Sequence, residues 1–163
     1  MNVQELKKNL YDRLDLHITK YIEDSESMDY KAVSFHLNEL SIISRNSKIT
    51  PKKIGQFVTL WKRNSDGIII PFGYNDKFDI VLINTKKGNS IGQFVFPKSI
   101  LIKQGILSDQ NQKGKLGFRI YLPSDKPTNK QALKTRNWMS EYFIEIDLEG
   151  FTHLASIRRL YGL

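Results

Sequence analysis

Apolar positions in the first 23 residues recur with the period of an α-helix. Spacing by four residues places side chains on one stripe of a helix, so an amphipathic helix is predicted over residues 3–23. The stripe consists of Leu6, Leu10, Leu14, Ile18 and Ile22. The acidic run at residues 23–27 follows and predicts a solvated loop.

From Tyr30 onward apolar and polar positions alternate, which is the period of a half-buried strand. Segments 32–37 and 40–44 are joined by Asn38-Glu39 and predict a hairpin with a tight turn. The run 78–83 is apolar except for one aspartate, which indicates a central strand buried on both faces. Further strands are predicted at 54–61, 68–72, 91–96 and 117–122.

Three further segments favour helix. Residues 97–104 begin with proline and are followed by Gly105, as in a short helix. Residues 128–143 carry a helical stripe, capped by Ser124-Asp125 or Thr128, and the tail 150–163 predicts a final helical turn. The elements together predict one α/β (α+β) domain over 1–163, with a mixed, largely antiparallel sheet flanked by helices.

A five-residue sequence occurs twice: Ile-Gly-Gln-Phe-Val stands at 54–58 and again at 91–95. Five residues are too few to indicate duplication. They do predict two strands with similar neighbours, each with a glycine where another part of the chain comes close.

The charge distribution changes the functional picture more than the composition does. The net charge is +8, but residues 45–136 hold 18 basic and 5 acidic residues, a local net charge of +13. Residues 1–44 and 137–163 are both net acidic. Because like charges repel in a folded chain, such a stretch favours a polyanionic partner, of which nucleic acid is the usual one. The alternative is a solvated lysine-rich surface.

Composition narrows the class of protein. An apolar fraction of 40% and a charged fraction of 26% are typical of a globular domain. There is no cysteine, so disulfides and thiolate chemistry are excluded. The start of the chain alternates charged and apolar residues, and no apolar run approaches the roughly 20 residues of a membrane span. We therefore expect a cytoplasmic protein with no membrane partner.

Metal and nucleophile motifs are missing from the sequence. His17, His36 and His153 are far apart and lack ligand spacing, so no metal site is predicted. The chain has no phosphate-binding glycine loop and no nucleophile elbow. No cofactor is therefore expected.

One weak catalytic candidate remains. Asp79 lies within the apolar run 78–83, and the next strand leads to Lys98. An aspartate on one strand and an acid-x-lysine on the next form the Mg²⁺ site of restriction-type nucleases. Here Phe96 occupies the position of the second acid and Gln93 is the remaining oxygen donor. Asp79, Gln93 and Lys98 are thus candidate catalytic residues of a degenerate site that would need Mg²⁺.

Basic and aromatic residues provide the stronger candidates. Cations near an exposed aromatic ring suit single-stranded nucleic acid, because bases stack and phosphates pair with lysine or arginine. Trp61 is either such a stacking platform or a core residue. The candidate nucleic-acid-binding residues are Lys52, Lys53, Trp61, Lys62, Arg63, Lys98, Lys130, Lys134 and Arg136.

Three blocks of the sequence resemble the MepB family of bacterial proteins: residues 50–63, 92–98 and 129–138. The match extends over roughly residues 29–143. The resemblance implies an α/β nuclease-like fold without a secure active site and nucleic-acid binding as the leading assignment. The founding member is encoded beside a multidrug efflux pump in staphylococci.

The sequence therefore predicts a nucleic-acid-binding protein, of single-stranded DNA or RNA, without secure catalytic activity. Two alternatives stay open: an Mg²⁺-dependent nuclease, and a module that binds an acidic protein partner.

Overall fold

The computed structural model describes residues 6–146 and 154–163. Eleven strands occur in these ranges: β1 Ile18–Glu23, β2 Val33–Leu37, β3 Leu40–Asn46, β4 Lys48–Ile49, β5 Gln56–Thr59, β6 Trp61–Arg63, β7 Ile69–Pro71, β8 Ile80–Lys87, β9 Ser90–Pro97, β10 Gly117–Ile120 and β11 Phe143–Glu145. The α-helices are α1 Lys98–Lys103, α2 Lys130–Ser140 and α3 Leu154–Tyr161. Short helical turns lie at Lys7–Tyr11, Asp12–Leu14 and Met28–Tyr30.

Six strands form the main sheet, in the order β1-β2-β3-β8-β9-β11. All neighbouring pairs are antiparallel except β3 and β8, which are parallel. A parallel pair needs a long crossover, and this one contains β4 to β7, which contribute to two small sheets together with the later strand β10. One has the order β10-β5-β4 and the other pairs β6 with β7. The structure is a mixed α+β fold, as predicted.

Each face of the main sheet carries its own apolar core. The first core contains the N-terminal helical turns and α3, which pack on side chains such as Phe35 and Leu82. The second core, on the other face, contains β5, β10, α1 and α2 around Phe94 and Phe96. Alternation along β8 explains the division, because Leu82 joins the first core while Val81 and Ile83 join the second. As predicted, β8 is central and buried on both faces.

The helix predicted over residues 3–23 is wrong from Asp15 onward. Asp15 has a left-handed backbone (φ 57°) that ends the helical turns, and residues from Ile18 pair with β2 instead. Asn38 fixes this arrangement, because its side chain accepts from the backbone N–H of His17 at 2.9 Å. Tertiary pairing therefore overrides the helical period. Residues 3–5 lie outside the described part of the chain.

Most other predicted elements are confirmed with shifted ends, but the strand predicted over 54–61 is divided between β5 and β6, which belong to different small sheets. The hairpins, the helix after Pro97 and a tail helix are present, although 150–153 of the predicted tail lie outside the described ranges. The helix predicted over 128–143 spans Lys130–Ser140. The predicted cap, Ser124-Asp125 or Thr128, is wrong: the N-cap is Asn129, whose side chain accepts from the Ala132 N–H at 2.8 Å. None of the described helices has the length and apolar character needed to cross a membrane.

The repeated glycines lie where the sequence predicts close approach. A Cβ on Gly92 would lie 2.2 Å from Phe143 Cζ, and one on Gly55 would lie 2.6 Å from the Ile120 carbonyl oxygen. Each repeat also buries its glutamine: Gln56 is 3% exposed and Gln93 is fully buried. Both strands therefore place a glycine under another part of the chain.

Candidate nucleic-acid interface

Four of the predicted cationic residues are occupied by contacts within the fold. Lys62 forms an ion pair with Asp76. Arg63 pairs with Glu26, with Nε 2.7 Å from Oε1, and donates from Nη1 to the Gly67 carbonyl at 2.6 Å. These acids offset both charges, so Lys62 and Arg63 contribute less to a basic surface than the sequence indicates.

Lys98 and Arg136 are occupied as well. The Lys98 ammonium donates to the carbonyl oxygen of Asp76 and lies 4.8 Å from the centre of the Phe78 ring. Arg136 donates from Nη1 to the Asp125 carbonyl at 3.1 Å and from Nη2 to Asn137 Oδ1 at 2.9 Å. Both side chains tie loops to the domain.

The other four predicted cations are exposed, and no ion pair joins them to a described carboxylate: Lys52, Lys53, Lys130 and Lys134. The first two belong to the loop between β4 and β5. The second two lie on α2 at i and i+4, which places them on one side of the helix. Their charges are available to a partner.

A cleft of about 310 Å³ separates β10 from α2, and we call it the β10–α2 cleft. Its polar lining consists of Gln104, Lys115, Arg119, Asn129, Gln131 and Thr135, beside the half-buried Trp138. No described aspartate or glutamate lines it. The cleft is therefore net cationic.

Arg119 connects the β4–β5 loop to this cleft. Its Nη2 donates to Thr50 Oγ1 and its Nε donates to the Ile54 carbonyl at 3.2 Å. Because Arg119 holds both ends of the loop, Lys52 and Lys53 are carried on the β10 side. Lys130 and Lys134 belong to α2, whose residues Gln131 and Thr135 line the opposite wall. None of the four free lysines lines the cleft itself, but they lie on the two elements that border it.

Trp61 lies outside the cleft lining. Its ring is half-buried, and the Arg63 guanidinium lies 5.9 Å from the ring centre. Strand pairing sets Trp61 opposite Pro71 in the small β6–β7 sheet. A stacking role for Trp61 stays a prediction.

The three catalytic candidates do not converge. Asp79 precedes β8 and is exposed, and its Oδ2 accepts from the Ser41 N–H at 2.8 Å. Lys98 lies beside it, since the Lys98 N–H donates to the Asp79 carbonyl at 2.9 Å. Gln93 is four residues before Pro97 on β9, roughly 13 Å along the strand, and its side chain lies in the first core. The structure joins Asp79 to Lys98 and separates both from Gln93.

Comparison with known proteins shows the family to which this fold belongs. The profile of the MepB-like family matches residues 24–145, about three quarters of the chain. The chain belongs to the MepB-like family. A crystal structure of MepB superposes with a TM-score of 0.79 at 28% identity, covering 90% of this chain and 99% of MepB.

A bacterial homing endonuclease, I-Ssp6803I, superposes more weakly. The TM-score is 0.42 at 19% identity, covering 69% of this chain and 78% of the endonuclease. That similarity is too low to bear on activity. No curated protein matches the chain.

Sequence reasoning missed three cations of this MepB-like chain. Lys115 and Arg119 line the cleft, and Arg45 is buried. The alternation of the predicted strand 117–122 could have found Arg119, because it stands between the core residues Phe118 and Ile120. An arginine directly after Ile42-Ile43-Ser44 was an equally readable signal for Arg45.

A buried polar network on the first-core face was also missed. Tyr161 OH donates to Gln93 Oε1, and Gln93 Nε2 donates to Asn84 Oδ1 at 2.8 Å. Burial raises the pKa of the Tyr11 hydroxyl and raises that of the Tyr161 hydroxyl well above its ordinary value. Both hydroxyls are therefore neutral hydrogen-bonding groups at physiological pH.

Within the described ranges, no group of three His, Asp or Glu side chains is arranged to hold a metal ion. His17 is exposed at the start of β1 and His36 is half-buried on β2. His153 lies outside the described residues.

Proposed function

We propose that this MepB-like protein binds single-stranded nucleic acid along the β10–α2 cleft. One observation carries the proposal: the cleft is lined by Lys115 and Arg119 and by no described acid, and the free lysines belong to the loop and the helix that border it. Phosphates would bind the lysines of these two bordering elements. The amide and hydroxyl groups between them, together with the Trp138 ring, suit the bases.

The four cations that already have partners are not the proposed phosphate-binding residues. Each of these side chains holds a loop and already donates to an acceptor within the fold: Lys62, Arg63, Lys98 and Arg136. Replacing them should therefore lower the stability of the fold more than it lowers the affinity for nucleic acid. Lys52, Lys53, Lys130 and Lys134 have no such role in the described structure. Binding and stability can therefore be separated by choice of residue.

Fluorescence anisotropy with a labelled single-stranded oligonucleotide tests the proposal. Affinity should fall steeply with salt, since each neutralised phosphate of a single strand contributes a slope of about −0.7 in log K against log salt. Lys53→Glu and Lys130→Glu should each weaken binding several-fold and make that slope shallower. Binding that is absent at low salt, or insensitive to salt, contradicts the proposal.

Lys8→Glu is the matched control. Lys8 is exposed on an N-terminal turn that packs on the opposite face of the main sheet. The substitution makes the same change in net charge, so a general electrostatic effect would weaken binding equally in all three variants. The proposal requires Lys8→Glu to bind close to wild type.

Two separate assays check the alternatives. Intact oligonucleotide after incubation with Mg²⁺ argues against the nuclease. A protein partner that is captured equally well after nuclease treatment, by a chain that does not bind oligonucleotide, favours the interaction module.

A further inference from the structure

A second cavity, of about 390 Å³, lies over β2 and β3 on the second-core face of the main sheet, and we call it the β2–β3 pocket. Strand pairing sets Ser34 opposite Ile43 and His36 opposite Ser41, so these side chains share one face. Arg45 is two residues beyond Ile43 on β3, so its side chain lies on the same face. The loop after β7 supplies one wall through Phe72 and Phe78.

Arg45 is the unusual residue of this pocket. Its side chain lines the cavity although the residue is only 4% exposed. Nη1 donates to the Ser44 carbonyl at 2.9 Å, while Nε is buried without a hydrogen-bond partner. No described carboxylate forms an ion pair with it. Arg45 is therefore more than nine-tenths buried and has no direct counter-ion among the described residues.

Burial lowers the pKa of Arg45 to about 10, and the charge of Asp24 acts in the opposite direction. The guanidinium therefore stays protonated at neutral pH. A buried charge without a paired acceptor is costly. An unsatisfied buried donor is rare in folded proteins, and a bound ion is one of the partners that would satisfy it.

The charged groups of the lining, taken together with Arg45, favour an anion. Lys20 and Lys77 add two positive charges, while Asp24 and Asp76 add two negative ones. Asp76 is already paired with Lys62. With Arg45 included, the lining carries one excess positive charge, and Lys62, which pairs with Asp76 from outside the lining, raises the local excess to two. Such an excess matches a phosphate monoester near neutral pH.

Arginine geometry and the aromatic wall indicate the class of ligand. The planar guanidinium fork matches the oxygen spacing of a phosphate. Phe72 and Phe78 pack edge to face, with ring centres 5.7 Å apart, and offer an apolar surface beside the polar floor. A cavity of this size lies within the ordinary range for small-molecule sites.

We propose that the β2–β3 pocket binds a phosphate monoester on a ligand of nucleotide size. The phosphate accepts from Arg45, Ser34 and His36, and the ring of the ligand lies against Phe72. This site shares no lining residue with the β10–α2 cleft. It therefore does not depend on the function proposed above.

Calorimetry and thermal unfolding with three probes test the site. Adenosine monophosphate should bind and raise Tm with concentration, because a ligand specific for the folded state stabilises it. Ribose 5-phosphate keeps the phosphate and should bind more weakly. Adenosine lacks the phosphate and should bind at least about tenfold more weakly than the monophosphate, since hydrogen bonds to charged groups are the strong ones. Equal binding of adenosine and its monophosphate overturns the proposal.

Arg45→Met separates binding from stability. It removes the uncompensated charge and keeps an unbranched apolar stem, so the unliganded Tm should be unchanged or higher. Affinity for adenosine monophosphate should fall at least about tenfold. Ser34→Ala, at a half-buried position, should weaken binding in the same direction and serves if Arg45→Met does not fold. Full affinity in both variants overturns the proposal.

An oligonucleotide pair identifies the source of the phosphate. If a 5′-phosphorylated strand binds more tightly than its 5′-hydroxyl form, and Arg45→Met abolishes the difference, the pocket receives a strand end. If the two strands bind equally while the monophosphate still depends on Arg45, the ligand is a free small molecule. Weaker oligonucleotide binding in Lys130→Glu with monophosphate binding intact would confirm that the two sites are separate.

Discussion

Gln93 joins the first-core hydrogen-bond network across the sheet, and Gln93→Met removes those bonds with little change in side-chain length. Three groups lose a bond to Gln93: the Tyr161 hydroxyl, Asn84 Oδ1 and, at the longer distance of 3.4 Å, the Tyr11 hydroxyl. Each buried unsatisfied group costs about 1–3 kcal/mol. The Tyr11 hydroxyl, 3.4 Å from that of Tyr161, offers a partial replacement. The expected loss is about 2–4 kcal/mol.

Urea unfolding followed by circular dichroism measures this loss. Thermal unfolding gives a second measure. For a chain of 163 residues, each kcal/mol lost from the free energy of unfolding lowers Tm by roughly 2–4 °C, so a fall in Tm of roughly 5–15 °C is expected. The m-value should not change, because the same surface is exposed on unfolding. Gln110→Met is the control: Gln110 is exposed with one long bond to Tyr74, and its effect should stay within about 0.5 kcal/mol.

Tyr161→Phe completes a double-mutant cycle. If the hydroxyl of Tyr161 acts through Gln93, the double variant should be less destabilised than the sum of the single ones, with a coupling of about 1 kcal/mol or more. A Gln93→Met protein within about 0.5 kcal/mol of wild type would refute the account of this network. Gln93 would then have to be explained by a role other than core structure.

Two further predictions concern Gly92, on the second-core face of β9, and the two buried tyrosines of the first core. Gly92→Ala should lower the free energy of unfolding by about 2–3 kcal/mol, because the added Cβ would press on the Phe143 ring. Gly88→Ala is the control: it has open space and φ +60°, so it should cost only about 1–2 kcal/mol of backbone strain. Equal costs in denaturant unfolding would contradict this. The raised pKa values of the Tyr11 and Tyr161 hydroxyls mean that folding disfavours their ionised forms. The neutral hydroxyls therefore contribute their full stability below the ordinary pKa of 10.0, and this stability is lost as the pH rises above it. Absorbance at alkaline pH should show these two hydroxyls ionising last; ionisation together with the exposed tyrosines would disprove it.

Local patterns in the sequence were sufficient for most of the sheet. The alternation of residues 32–44 predicted a hairpin, and its turn at Asn38-Glu39 is where the strands meet. The apolar run that became β8 predicted a central strand. The repeated glycine predicted a close approach in both copies. These features depend on side-chain periodicity and backbone freedom, which are properties of short segments and can be read directly.

The positions of the charges needed the tertiary structure. Lys62 and Lys130 are both exposed basic residues by sequence, yet Asp76 neutralises one and leaves the other free. Asp76 is 14 residues from Lys62 along the chain, and no local pattern predicts that pairing. The basic stretch is therefore less uniform as a surface than as a sequence.

What the sequence determined by itself was the class of fold, the family and the excess of positive charge between residues 45 and 136. Only the tertiary structure decided that residues 18–23 form an edge strand, that Gln93 lies apart from Asp79, and that Arg45 lines a pocket. The reason is physical. Periodicity is set by neighbours a few residues apart, whereas pairing, burial and ion pairs depend on contacts between segments that only the folded chain brings together.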